Sequence, residues 1–300
     1  MNLSHLAIFH AIAETGNVTR AADRLMISQP AVSKQLKELE RAMGTPLFDR
    51  LPRGVRLTEA GTLLAGYARR LFTLAQEAED AMGELQGLRR GRLRVGASTT
   101  IGVYLLPEVF VRFRRVHPGV QLQMEIAASD VLARRLAEGT IDIAYTEGIV
   151  VDESIQSRIF MEDRLVAIAP AKHPLARKRR VTARRLCDEP FVVRETGSGT
   201  QSLVERALAE RGLAVRPAMS LGSTEAIKRA VGSGVGVAIV SELSVALEVR
   251  AKKLAVLNLA DLRLRRPMHR LENRHAQPGR SVLEFNRMLD EFVVSRSSTS

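Results

Sequence analysis

The 300-residue chain has no tryptophan, only three tyrosines and one cysteine, Cys187. A single cysteine excludes an internal disulfide framework and a cysteine-rich zinc site, and in a long chain it reads as an inert residue. No apolar run approaches the roughly 20 residues that a membrane-crossing helix needs, so no membrane partner is expected. The N-terminus, MNLSHLAIFHAIAE, lacks a basic head and carries Glu14. That argues against a secretory signal and for a cytoplasmic protein. The histidines (His5, His10, His117, His173, His269 and His275) have no metal-ligand spacing and stand near no nucleophile motif. No metal or cofactor is therefore expected. No glycine-rich stretch continues into the GKS or GKT of a nucleotide-hydrolysing loop.

What is present is a globular composition, 45% hydrophobic, long enough for two or three domains with real cores. A formal charge of +12 points to polyanion partners. Its placement is uneven. Residues 1–60 hold eight Lys and Arg against six Asp and Glu, while residues 165–268 hold nineteen against nine. Bulk charge alone therefore does not locate a nucleic-acid surface.

Residues 1–60 read as three helices and a hairpin. Leu3, Leu6, Phe9, Ile12 and Ala13 form the apolar stripe of a first helix that stops near Gly16. Asn17 caps a second, Val18 to Leu25, and Met26-Ile27 makes the turn. Ser28 caps a third helix that buries Val32, Leu36 and Leu39 and ends at Met43 before Gly44. PLFDRLPRGVRLT then alternates apolar and basic residues around Pro52-Arg53-Gly54, as a two-stranded wing would.

One helical pattern runs from a Thr58 cap to Leu88, with Leu64, Tyr67, Leu71, Leu74, Ala78, Ala81 and Leu85 in a seven-residue rhythm. Such a seam pairs with a second copy or packs on its own chain. GLRRGRLRVG (87–96) is a basic linker. Beyond it, strand-like runs (Leu93–Ala97, Val120–Ala127, Ile141–Thr146, Leu165–Ala169, Phe191–Val193, Val235–Val240) alternate with helical ones (Val103–Val116, Val131–Glu138, Ser202–Arg211, Ser223–Gly232). The expectation is an α/β domain with a largely parallel sheet. The tail SRSSTS is expected to be disordered, and ARKRR (176–180) to be a solvated basic loop.

Two helices joined by a tight turn, the second offering a polar head, form a helix-turn-helix pattern. Pro30 is tolerated there because first-turn N–H groups have no intrahelical partner. Gln29 suits an adenine edge, and Pro30 and Ala31 suit a thymine methyl. Thr19, Ser33 and Lys34 suit phosphates, and Arg50, Arg53 and Arg56 on the wing reach backbone or minor groove. The bland reading is a helical hairpin with a solvated face, which leaves the capped Gln-Pro head and the Arg-rich hairpin unexplained. A second class, an α/β binding protein or enzyme with a dimerising head, has no use for that face and offers no base or nucleophile.

The segment AADRLMISQPAVSKQLKELERAMGTPLFDRLPRGVRLTEAG closely resembles the winged helix-turn-helix of LysR-type transcriptional regulators, in the order A-A-x-x-L, S-Q-P-A-V-S, L-E, L-F-x-R and L-T-x-A-G. The resemblance implies a non-enzymatic regulator of double-stranded DNA in a bacterial cytoplasm. It implies an all-α winged helix-turn-helix (1–58), a dimerisation linker helix (59–89) and an effector-binding domain (90–300) with two lobes like periplasmic binding proteins. It further implies a homodimer through the linker helix, commonly a tetramer, DNA bent across two sites, and RNA polymerase as a further partner.

In the C-terminal domain, GASTTIGVYLLP (96–107) sets Ser98, Thr99 and Thr100 between a strand and a helix, where free N–H groups and hydroxyls favour an anion. RETGSGTQS (194–202) repeats that arrangement with Arg194, Thr196, Gly197, Ser198 and Thr200. Both resemble LysR-type pocket loops, in a subgroup that includes regulators of CO2-fixation and sulfur-oxyanion genes. There SSTIG and REPGSGTR are common; here Thr196 stands for the proline and Gln201 for the arginine. The chain is expected to cross between lobes near Glu162-Asp163 and Arg266-Pro267, giving lobe I as 92–162 with 267–295 and lobe II as 163–266. Ser129, Glu147 and Thr224 are expected at the rim of the cleft. A cleft of hydroxyls and N–H groups with few aromatics suits a small anionic metabolite.

Overall fold

Capping side chains start the first three helices. Asn2, Asn17 and Ser28 stand in extended backbone and accept free N–H groups of α1 (Leu3–Thr15), α2 (Val18–Leu25) and α3 (Gln29–Met43). The computed structural model describes residues 2–84, 91–148, 150–195 and 198–297. Gly16 and Gly44 end α1 and α3 in left-handed backbone, and Met26 does the same for α2 at φ 54. Leu6, Phe9 and Ile12 are buried as expected, but Leu3, the first residue of α1, is exposed. Val32 and Leu36 pack on Ala22 and Leu25.

The wing is β1 (Phe48–Arg50) paired antiparallel with β2 (Val55–Leu57). Its turn glycine, Gly54, has φ 87, and a Cβ there would stand 2.5 Å from the Gly16 carbonyl oxygen. That oxygen accepts the Val55 N–H at 3.0 Å. The wing is thus pinned to the end of α1.

Thr58 then caps α4 (Glu59–Glu84), its hydroxyl accepting the Gly61 N–H at 3.0 Å. Ala65 and Ala68 are buried against α1, with Leu64 and Phe72 beside them. Leu64 therefore belongs to the head's own core and not to an outward seam, which corrects the sequence reading. Tyr67, Leu71 and Leu74 are exposed, as are Leu63 and Met82. Leu85 and the helical pattern to Leu88 lie outside the described residues. Lower on α4, Arg69 pairs with Glu138 at 2.9 Å. A Cβ on Gly139 would meet Thr73 Cγ2 at 2.4 Å, so the helix seats closely on the following domain.

That domain opens with β3 (Gly91–Ala97), which begins inside the segment read as linker. The single helix expected over Val103–Val116 is two, α5 (Thr99–Tyr104) and α6 (Leu106–Val116), broken at Leu105. Pro107 supplies no N–H and crowds the preceding turn, so a new helix starts there. Next come β4 (Val120–Ile126), α7 (Ser129–Ala137), β5 (Ile143–Thr146) and the long β6 (Ile155–Pro170). The second half contains α8 (Ala183–Cys187), β7 (Pro190–Arg194), α9 (Gly199–Ala209), β8 (Arg216–Leu221), α10 (Thr224–Gly232), β9 (Ala238–Ser241), α11 (Ala246–Arg250) and β10 (Leu254–Leu257). The chain returns through β11 (Leu264–Asn273) and closes on α12 (Arg280–Ser297). The helix carries the first residues of SRSSTS, contrary to expectation, because Phe292 and its neighbours are packed on the core.

The seven-stranded sheet is mixed, not largely parallel: β3 runs parallel to β4 and β5, while β7 and β8 form a separate parallel pair. β6 and β11 pair antiparallel from Leu264↔Leu165 to Asn273↔Ile155, and β9 and β10 flank β6 antiparallel. One strand leaves the first half and the other returns to it, so their directions must oppose. One core gathers around Val95, Phe113, Tyr145 and Phe285, and another around Leu165, Phe191, Val204 and Val237. In the register, Asp163 faces Arg266 and Glu162 faces Pro267. These are the residues at which the sequence reading put the crossings.

Candidate functional site

Two regions gather the residues singled out in the sequence. On the head, Gln29, Pro30 and Lys34 are exposed at the start of α3, with Ala31 and Ser33 half-buried beside them. Thr19 is exposed on the first turn of α2. Gln29 Nε2 lies 3.5 Å from Ser33 Oγ, a contact too long to hold the amide firmly. Arg50 and Arg53 are exposed on the wing. Arg56 is also exposed, but it bonds Asp49 directly across the hairpin at 3.3 Å, so part of its charge is offset.

The second region lies where β6 and β11 pass between the two halves, and its centre is Arg266, which sequence reasoning used only as a crossing point. Arg266 is 4% exposed. Its Nε donates to Asp163 Oδ2 at 2.8 Å, and Nη2 stands 2.7 Å from the same oxygen. Nη2 also donates to Thr100 Oγ1 at 3.2 Å. Nη1 donates to Glu147 Oε2 at 2.7 Å and to Thr200 Oγ1 at 2.8 Å. A guanidinium has five N–H groups, and here four hydrogen bonds and one further close contact with Asp163 surround them. Glu147 Oε1 accepts the Thr100 N–H at 2.7 Å. Asp163, only 1% exposed, also accepts the Ser241 hydroxyl at 2.8 Å. Burial pushes the Asp163 carboxyl up from its ordinary value, while Arg266 and Ser241 pull it down.

A second contact between the halves runs from Tyr104 on α5, whose hydroxyl donates to Glu225 Oε1 on α10 at 2.6 Å. Glu225 also meets Lys228 at 2.6 Å, and Lys228 sits 5.1 Å from the Tyr104 ring centroid. Burial, then the Glu225 hydrogen bond, push the phenol up.

Arg194 is not a free cation. Its guanidinium holds Glu195 with two bonds, at 3.0 and 2.6 Å, and donates to Thr224 Oγ1 at 3.3 Å. The Glu195 carboxyl is held below its usual range, chiefly by that Arg194 hydrogen bond. Gln201, at the arginine position of the subgroup motif, accepts the Arg194 N–H at 3.2 Å.

Of the expected effector residues, Thr100, Glu147 and Thr200 meet at Arg266, and Arg194 and Thr224 meet each other. Ser98 is buried, and its hydroxyl has no partner among the described residues. Thr99 is exposed, and Ser198 precedes α9 without capping it through its side chain. Ser129 stands beside Gly148 and outside the hydrogen-bonded network. Thr196 and Gly197 lie outside the described residues. Nothing in LRLRRPMHRL distinguishes Arg266 from the arginines around it; its burial does. A cavity of about 670 Å³, lined in part by Arg92, Arg158, Arg270 and Arg274, lies apart from this network.

The remaining chemistry is quiet. Burial pushes the Cys187 thiol up, which disfavours its reactive thiolate. Among the described residues, no group of His, Cys, Asp and Glu could hold a metal ion, and no helix is long and apolar enough to cross a membrane.

Residues 3–62 match the family model described as a bacterial regulatory helix-turn-helix protein, lysR family, and residues 86–293 match the LysR substrate binding domain. The chain is 34% identical over 298 residues to the RuBisCO operon transcriptional regulator of Allochromatium vinosum, covering 99% of this chain and 97% of that one. Among solved structures, a full-length OxyR variant from Pseudomonas aeruginosa superposes with a TM-score of 0.75 at 24% identity. It covers 97% of this chain and 98% of its own, a likeness of fold. The regulatory domain of Synechocystis PCC6803 CcmR, solved in complex with 2-PG, superposes with a TM-score of 0.62 at 26% identity, covering 68% of this chain and 98% of that one.

Proposed function

Because the chain belongs to the LysR family of bacterial helix-turn-helix transcriptional regulators, we propose that residues 1–58 read promoter DNA and residues 59–89 pair two copies. Residues 90–300 then bind a small anionic metabolite between a lobe of 92–162 with 267–295 and a lobe of 163–266. In this reading the head of α3 lies in the major groove. Gln29, Pro30 and Ala31 face base edges, while Thr19, Ser33, Lys34 and the wing arginines Arg50, Arg53 and Arg56 face backbone. The protein acts without catalysis in the cytoplasm, as a tetramer of two dimers that works on RNA polymerase.

One observation carries the effector reading. Arg266 touches Thr100, which follows β3, and Thr200, which opens α9, at the same time. An anion entering there meets both halves of the domain, and unequal binding to two arrangements of them is what shifts a population. Ser98, Thr99, Ser129, Glu147, Arg194, Thr196, Gly197, Ser198 and Thr224 complete the cleft. The 2-PG of the CcmR domain, a relative at 26% identity, supports a small anion as the class. Calorimetric titration of the full chain with 2-PG tests the reading. Thr100→Val and Ser198→Ala should weaken binding, and unchanged affinity in both would move the effector site elsewhere.

A further inference from the structure

Glu147 was expected at the rim, as one more group around an anion. Its carboxylate instead takes the position that an anion would need. One oxygen holds the Thr100 N–H at 2.7 Å and the other holds Arg266 Nη1 at 2.7 Å. Both donors lie at the junction of the lobes, and both are spent on a side chain of the protein itself. The other contacts of Arg266 are with Asp163, Thr100 and Thr200, so oxygens of the protein already surround the guanidinium.

Charge gives the same answer. Glu147 and Asp163 carry two negative charges against the single positive charge of Arg266, so the junction as it stands repels a further anion. Arg194 is matched by Glu195, and Lys228 by Glu225 and Glu248. An incoming anion must therefore remove one of the two carboxylates. Asp163 is 1% exposed and also held by Ser241. The Glu147 side chain is 19% exposed and lies at the end of β5, with solvent to move into. It is the carboxylate that can leave.

We infer that Glu147 is a resident pseudo-ligand: the effector binds by exchange, a carboxylate or phosphate of the metabolite replacing the Glu147 carboxylate on Thr100 and Arg266. The inference rests on the cleft reading above and specifies its regulation and ligand class. The ligand must bring a pair of oxygens spaced as in a carboxylate or phosphate, to span an N–H and a guanidinium. It gains from a further polar atom, because the Ser98 hydroxyl two residues before Thr100 is buried and without a partner among the described residues. A resident that fills the seat in all but a small fraction of molecules weakens apparent affinity by that fraction, about tenfold to a hundredfold for occupancies of roughly 90–99%. Glu147 thereby sets the effector concentration at which the regulator responds.

The test titrates inorganic phosphate and 2-PG, each by calorimetry, into full-length wild type, Glu147→Gln, Glu147→Ala and Thr100→Val. Exchange requires Glu147→Ala to bind at least one of the anions about tenfold or more tightly than wild type does. Thermal midpoints of the Glu147 variants should rise with phosphate concentrations that leave wild type unmoved. If Thr100→Val weakens binding while the Glu147 variants bind as wild type or more weakly, the cleft stands, Glu147 is an ordinary contact and exchange is overturned. If Thr100→Val and both Glu147 variants all bind as wild type does, the cleft reading itself fails. No binding of either anion to any of the four proteins also overturns the inference, since vacating the seat would not have created an anion site. Glu147→Ala keeps the test open should the glutamine amide rebind Arg266.

Discussion

Replacing Arg266 by methionine should be among the most damaging single changes in the effector domain, and its cost should depend on pH in a definite direction. The substitution keeps much of the side-chain volume and removes the charge. Glu147 loses one partner but keeps the Thr100 N–H and has access to water. Asp163 has neither recourse: it is 1% exposed and is left with the Ser241 hydroxyl alone. Breaking a buried ion pair by deleting one partner costs about 3–5 kcal/mol. For a unit of this size each kcal/mol at the midpoint moves melting by about 2–4 °C, so the transition should fall by roughly 6–20 °C. Burial already pushes the Asp163 carboxyl up, and the loss of Arg266 removes the main opposing pull. A carboxyl whose folded pKa exceeds its unfolded one binds its proton more tightly when folded, so stability is gained as pH falls through the folded value. The deficit of Arg266→Met relative to wild type should therefore be largest at neutral pH and shrink on acidification. Adding Asp163→Asn should recover the larger part of it at neutral pH. Scanning calorimetry of the three proteins across pH reads all of this. A fall of less than about 2 °C, or a deficit indifferent both to pH and to Asp163→Asn, would refute the view that Arg266 neutralises a buried carboxylate.

Three further outcomes concern the head and linker. Gly61→Ala improves helix propensity by about 1 kcal/mol, yet it should destabilise the head by about 1–3 kcal/mol, because the new Cβ would lie 2.0 Å from the Leu47 carbonyl oxygen; denaturation of residues 1–84 that shows stabilisation would mean that β1 and α4 separate freely. Gln29→Ala should lose about 1–3 kcal/mol of discrimination at one base position, whereas Lys34→Ala should weaken all sequences alike and flatten the salt dependence. Fluorescence anisotropy on specific and scrambled duplexes separates the two, and an unchanged specificity ratio in Gln29→Ala would remove Gln29 from base readout. Leu71→Asp places a charge on the exposed stripe of α4 and should give monomers or aggregates with reduced DNA affinity; intact dimers by light scattering would show that the stripe is not the pairing surface.

What the sequence decided by itself is what depends on neighbours along the chain. Asn17, Ser28 and Thr58 cap helices because their oxygens reach N–H groups two or three residues on. Gly44 and Gly54 turn the backbone where left-handed φ is needed. The 3.6-residue spacing of Val32, Leu36 and Leu39 alone fixes which side of α3 is buried, and hence that Gln29 and Lys34 face outward. Most of the winged head is legible for that reason, as are the apolar runs of β3, β4 and β5.

Tertiary structure decided whatever brings distant segments together. Leu64 shares the seven-residue rhythm of the exposed Leu71 and Leu74 on α4, and only its contact with the core of the head claims it for that domain. β6 and β11 are long and antiparallel because each serves two lobes, a constraint that no local window of sequence contains. Arg266 is one arginine among several in LRLRRPMHRL until the fold sets Asp163, Thr100, Glu147 and Thr200 around it from as far as 166 residues away. A buried charge is tolerated only where its partners are assembled, and those partners are a property of the packed chain, not of the run of residues in which the charge is written.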